Sequence, residues 1–267
     1  MKNIRTLLLF LLPLALMSCT DTREELEIKG DGSGTLVMKT DLGKMLEMMK
    51  GFGENDLAKD GLDKPFDTTM LMKNYVDTAK NITPEQRELL HDGRVHLVMN
   101  VKESIGKIDM NFPFASADKL QQLYANLNSS TGGLKNMFDG VGKGLSKGQA
   151  PDGTQEQAND KGMPQIASVY DITVKNGLYS RKVNKQRYDE FAQSMKLDDL
   201  KQMGGMMGDI KMDYTLSIKL PRAIKKISNS KAVLSADKKT LTLAADLMET
   251  FQHPELLFLK EMGLSNR

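Results

Sequence analysis

The sequence predicts an α+β fold: a mostly antiparallel sheet built from hairpins, with helices packed on one face. Three observations carry that prediction. Short apolar runs come in pairs around Gly, Asn and Asp turns, most clearly residues 169–174 and 178–183 around Asn176-Gly177, the pair of residues that best fits a tight hairpin turn. Helix-start signals follow such pairs, as at Asp41 and at Ser116. The order hairpin, then capped helix, comes three times, ending near Phe52, Leu127 and Met203. No residue-level repeat accompanies it, so it is recurrent architecture rather than duplication.

Taken in order, residues 26–29 and 35–40 flank Gly30-Asp31-Gly32-Ser33-Gly34 and predict a first hairpin. Asp41 can cap the next helix, whose Leu42, Met45, Leu46 and Met49 share one face. Residues 66–72 alternate as a strand. Thr83 to Gln86 forms a capping box with Pro at the first helical position. Residues 95–101 and 107–112 predict a second hairpin, and Ser116 caps a helix with Ala117, Leu120, Leu123, Tyr124 and Leu127 inward. Residues 129–164 are Gly-rich and then nearly without apolar side chains. They cannot bury enough surface to offset their ordering entropy, so a flexible insertion is expected there. After the Asn176-Gly177 hairpin, Tyr188, Phe191, Met195 and Leu200 predict a helix, and Met212, Tyr214, Leu216, Ile218 and Leu220 an alternating strand that Pro221 ends. Residues 232–234 and 240–244 flank an Asp237-Lys238-Lys239 turn, and residues 256–259 are a last short strand or helix.

The first eighteen residues belong to a different physics. Lys2 and Arg5 precede a short apolar run, residues 7–16, and then Leu16-Met17-Ser18-Cys19. A basic start, a short apolar stretch and a small residue before the cut make a secretory signal. The run is too short for a transmembrane helix, which needs about 20 apolar residues. Leu16, Ser18 and Cys19 resemble the lipobox of bacterial lipoproteins, with Met17 departing from the small residue usual at that position. That resemblance implies cleavage between Ser18 and Cys19 and acylation of Cys19. One acyl chain binds a membrane only marginally, and stable anchoring takes more. Cys19 is the only cysteine in the chain, so no intramolecular disulfide or Cys metal cluster can form. The expected layout is signal 1–18, tether 19–25 and one α+β domain 26–267. Thr20-Asp21-Thr22-Arg23-Glu24-Glu25 reads either as an ordinary solvated linker or as an acidic tether resembling the export signal of some surface lipoproteins.

Losing residues 1–18 removes two of the 37 Lys and Arg, Lys2 and Arg5, and none of the 35 Asp and Glu, so the mature chain is balanced in charge. Nothing basic argues for nucleic acid. Trp is absent and there are 19 Met, so the core leans on Met and Leu. Among the Met clusters, Met45 and Met49, and Met203, Met206 and Met207, read as filler of an irregular core, as an adaptable apolar ligand surface, or as soft Cu(I) ligands, the last without His or Cys support.

No arrangement predicts catalysis or a cofactor. His91 and His96 flank a turn without further ligands at metal spacing. Gly140-Val141-Gly142-Lys143-Gly144 lacks the spacing of a phosphate loop. Asp31-Gly32-Ser33 lacks the later ligands of a calcium loop. Glu24-Glu25 and Asp198-Asp199 are adjacent acids, whose side chains point apart. Lys219, Arg222, Lys225, Lys226 and Lys231 form a basic stretch, read as a solvated sheet end or as a contact for anionic headgroups.

Both ends carry a family resemblance. Residues 28–35, Ile-Lys-Gly-Asp-Gly-Ser-Gly-Thr, lead into Asp41-Leu42-Gly43-Lys44-Met45. Residues 220–229, Leu-Pro-Arg-Ala-Ile-Lys-Lys-Ile-Ser-Asn, precede residues 235–242, Ser-Ala-Asp-Lys-Lys-Thr-Leu-Thr. These resemble bacterial lipoproteins with an LppM-like domain, although Arg222 stands where Gly is common. The resemblance implies an envelope lipoprotein and supplies no catalytic residues. The expectation is therefore a non-enzymatic binding or structural protein, attached to the outer membrane through acylated Cys19 and facing either the periplasm or the cell surface. It would meet a protein, glycan or lipid partner. The alternative is a carrier of a lipid or other apolar ligand, held in a cavity between the sheet and the Met-rich helices.

Overall fold

In the computed structural model the described residues are 22–44, 46, 47, 65–79, 82–126, 166–175, 178–194 and 212–264. The expected α+β architecture is what they form, with the strands divided between two sheets. The first strand shows how the division starts. β1 (Thr22–Ile28) has the sequence Thr-Arg-Glu-Glu-Leu-Glu-Ile, and its Glu24, Leu26 and Ile28 are buried while Arg23, Glu25 and Glu27 face the other side. Period two with one covered face is a strand on a core. β2 (Gly34–Asp41) returns antiparallel, with Leu36 and Met38 facing the core.

The turn between them needs glycine at its exit. A Cβ on Gly34 would lie 1.9 Å from the Glu27 carbonyl oxygen and 2.4 Å from the Phe114 ring, so no larger residue fits without a shift. Asp31 closes the turn itself, its carboxylate accepting from the Ser33 amide at 3.0 Å and the Ser33 hydroxyl at 2.7 Å. At the other end of β2, Asp41 accepts from the Gly43 amide at 2.8 Å, the cap its sequence position predicts.

The remaining strands of the large sheet are β3 (Phe66–Leu71), β4 (Arg94–Asn100), β5 (Ile105–Phe114), β8 (Asp213–Lys219), β10 (Val233–Leu234) and β11 (Thr240–Asp246). Their order is β10-β11-β8-β1-β2-β5-β4-β3. Every pairing is antiparallel except β1 with β8, where Thr22 lies opposite Tyr214 and Leu26 opposite Ile218. A smaller sheet has the order β6-β7-β12-β9, formed by β6 (Tyr170–Lys175), β7 (Leu178–Val183), β9 (Ile224–Ile227) and β12 (Leu259–Leu264). The two strands expected on either side of Asn176-Gly177 therefore belong to this second sheet, and the tail resolves into a 3-10 turn (Pro254–Leu257) followed by β12.

Five helices are described: α1 (Met72–Val76), α2 (Pro84–Leu90), α3 (Ala117–Asn126), α4 (Lys185–Ser194) and α5 (Leu247–Gln252). Met72, read from the sequence as the end of a strand, instead opens α1. The capping box of α2 forms as predicted: the Gln86 amide donates to the Thr83 hydroxyl at 3.1 Å and the Thr83 amide donates to the Gln86 side chain at 3.0 Å. One cluster of buried side chains joins both sheets, taking Leu36, Phe112, Leu216 and Leu241 from the large sheet, Tyr170, Ile172 and Tyr179 from the small one, and Leu120, Leu123 and Tyr124 from α3.

The expected tether 19–25 is corrected by the fold. Residues 22–25 are strand, because the alternation that buries Leu26 and Ile28 extends back through Glu24. The flexible insertion expected at 129–164 lies outside the described residues.

Candidate functional site

The densest polar chemistry in the described chain lies inside the core, where β1 meets β7. Glu24 and Arg181 are both wholly buried. The Arg181 guanidinium donates to both carboxylate oxygens, at 2.6 Å to Oε1 and 3.1 Å to Oε2. The Tyr124 hydroxyl from α3 donates to Oε1, and the Tyr214 hydroxyl from β8 donates to Oε2. Each carboxylate oxygen thus receives one guanidinium and one phenol. Tyr170 from β6 stacks under the cation, its ring centre 4.0 Å from the guanidinium carbon, and the Tyr124 ring centre lies at 5.9 Å. Both rings present their negative faces to the charge. Tyr170 in turn donates to the Pro254 carbonyl at 2.7 Å, joining the 3-10 turn to the cluster.

Among the described residues, the buried Tyr179 hydroxyl and Arg181 Nε have no hydrogen-bond partner of normal geometry. The Arg181 charge is nevertheless close enough to pull the Tyr179 phenol down against the stronger upward push of burial.

Burial raises all four phenols, Tyr124, Tyr170, Tyr179 and Tyr214, above the ordinary tyrosine range, with the Glu24 charge adding to the rise. Burial is the strongest single influence on Arg181 and pushes it down, but the Glu24 charge together with Tyr214, Tyr124 and Tyr179 outweighs it, so the guanidinium is held above its ordinary range. The cluster therefore offers neutral phenols and a paired cation, closed to solvent. It has neither a free base nor an activated nucleophile in contact with a substrate path. Its chemistry is cohesion between two sheets.

The alternation rule could have found Glu24, since it shares a face with Leu26 and Ile28 two and four residues on. Reading Glu24 as part of an acidic tether concealed it. Arg181 gave less signal, because Tyr179, Ser180 and Arg181 are buried in succession and break the period-two pattern.

The residues singled out from sequence fall elsewhere. Ser18, Cys19, Met45, Met49, Met203, Met206 and Met207 lie outside the described residues. His91, His96 and His253 each meet a single carboxylate, Asp92 at 2.7 Å, Asp67 at 2.7 Å and Glu255 at 3.1 Å, on exposed ground. Among the described residues no three His, Cys, Asp or Glu side chains converge as metal ligands. Lys219 of the basic stretch pairs with Glu27 at 2.8 Å.

Removing one partner of a buried ion pair strands the other charge, so Glu24→Gln should cost about 3–5 kcal/mol in urea unfolding. Glu24→Met combined with Arg181→Met should cost far less than the two single changes added together, a large coupling in a double-mutant cycle. Additive costs would mean the two side chains are not a unit. Stability should also fall in alkali. The folded phenols titrate above unfolded tyrosine, near pH 10, so their contribution is complete below about pH 10 and is lost as the pH rises toward the folded values. Absorbance at alkaline pH should show four of the six tyrosines ionising only with unfolding.

Compared with known proteins, this chain matches no family model, no curated protein and no solved structure.

Proposed function

We propose that the protein is an envelope lipoprotein, held in the outer membrane by acyl chains on Cys19, and that it acts by binding or by structure rather than by catalysis. The observation that carries the reading is the position of the sole cysteine, directly after Ser18 and a short apolar run. A cleaved, acylated Cys there gives a durable anchor without a membrane-spanning segment. Among the described residues no helix is long and apolar enough to cross a membrane. The resemblance of both chain ends to lipoproteins with an LppM-like domain points the same way.

The packing bears on how such a domain would act. The carrier alternative places its cavity between the sheet and the Met-rich helices, and Met45, Met49, Met203, Met206 and Met207 lie outside the described residues. Over the described residues the core beneath the large sheet holds Leu36, Val95, Phe112, Leu120, Leu123 and Ile218, each fully buried, and the Glu24–Arg181 pair. We favour contact with a protein, glycan or lipid partner through the outside of the fold. The strand at residues 22–25 also removes support for an acidic surface-export tether, since Glu24 is committed to Arg181.

The anchor is tested by Cys19→Ser. The variant should fail to take up radioactive palmitate and should keep its signal peptide, read by labelling cells and comparing the mass of the purified protein. Palmitate on the variant would place the lipid elsewhere and overturn the reading.

A further inference from the structure

With the anchor reading as its premise, a second consequence comes from the distance between Cys19 and the fold. Only Thr20 and Asp21 separate Cys19 from Thr22, the first residue of β1. A fully extended chain spans at most ~3.6 Å per residue, so Thr22 is held within about 11 Å of the acylated residue. The link is far too short to act as a flexible spacer.

Sheet topology then decides which surface meets the lipid. Thr22 lies opposite Thr40 of β2 and Tyr214 of β8. The same end of the sheet carries Asp41, the turn between β4 and β5 with Lys102 and Glu103, Asp213, and Asp246 at the end of β11. The opposite end carries Lys29 in the β1–β2 turn, Asp92 before β4, and Lys238 in the β10–β11 turn. Seven residues of β1 at about 3.3 Å each put the two ends roughly 23 Å apart.

Other postures fit less well. β1 is the fourth strand of eight, with three strands on one side and four on the other. At about 4.8 Å per strand, neither long edge of the sheet reaches the lipid on so short a link without lifting the anchor. On the face bearing Arg23, Glu25, Glu27 and Lys39 the charges are engaged with one another: Arg23 and Lys39 both lie beside Glu25, at 3.6 and 3.7 Å, and Lys219 beside Glu27 at 2.8 Å. Lys219 and Arg222 of the basic stretch lie at the far end, so docking that stretch on headgroups and the short link exclude one another.

We propose that the domain stands on the membrane with the Thr22 end of the large sheet against the lipid surface and the turns around Lys29, Asp92 and Lys238 facing away. The membrane is thus the occupant of one end of the fold, and the far end is what a partner meets.

The acylated protein has no free thiol, so a cysteine introduced by Glu103→Cys or Lys29→Cys takes a fluorescent maleimide alone. Each labelled protein is reconstituted in vesicles of phosphatidylethanolamine and phosphatidylglycerol that carry a headgroup nitroxide. The Glu103→Cys label should be quenched several-fold more than the Lys29→Cys label. Equal or reversed quenching in protein that floats with the vesicles overturns the orientation. Labelling of the protein without an introduced cysteine, or failure to float, overturns the anchor reading instead. A ten-residue Gly-Ser insert between Asp21 and Thr22 should erase the difference; a difference that survives overturns the claim that the short link sets the posture.

Discussion

The fold depends on one ion pair that no short stretch of sequence contains. Glu24 enters from the central strand of the large sheet and Arg181 from the small sheet, 157 residues later, and they meet where neither touches water. Taking a carboxylate and a guanidinium out of water is costly, and their attraction offsets that cost only when the geometry is good and the remaining valences are filled. Here the guanidinium meets both carboxylate oxygens, a phenol completes each oxygen, and an aromatic ring lies against the cation. Two apolar faces could slide over one another at little cost. A bidentate pair with four tyrosines around it has one arrangement, so it fixes the register between the sheets as much as it holds them together.

That arrangement also explains the placement of α3. Leu120, Leu123 and Tyr124 all face inward from one helix. Tyr124 is the residue that turns an ordinary apolar stripe into a link between the helix and β1. Tyr214 does the same for β8, whose parallel pairing with β1 sets Tyr214 opposite Thr22, two residues from Glu24 on the same face and within reach of its carboxylate. The groups that gather around Glu24 come from 100, 157 and 190 residues further along the chain, so the cluster closes the topology instead of decorating it.

Much of the fold was legible where a signal is local. The Thr83–Gln86 capping box, the Asp41 cap, the antiparallel pairing of residues 170–175 with 178–183 and the alternation through Tyr214, Leu216 and Ile218 all formed, because each is settled by neighbours within a few residues. What failed was either non-local or concealed by a competing pattern. The division into two sheets depends on pairings such as β7 with β12 that no window can show. Residues 22–25 carry charges at three of four positions and so resemble a linker, while their period-two phase belongs to the strand. Of the candidate site, the sequence offered one half: Glu24 shares the phase of Leu26 and Ile28, whereas Arg181 sits among three consecutive buried residues and has no periodic signature.

The central claim is that the two sheets form one cooperative unit through Glu24 and Arg181, and native-state amide hydrogen exchange tests it most directly. The account predicts that the amides of Glu24 and Leu26 in β1 and of Tyr179 and Arg181 in β7 exchange through the same opening, with equal free energies and equal dependence on denaturant. Exchange of β6 and β7 through a smaller, separate opening, while β1, β2 and β5 stay protected, would contradict it.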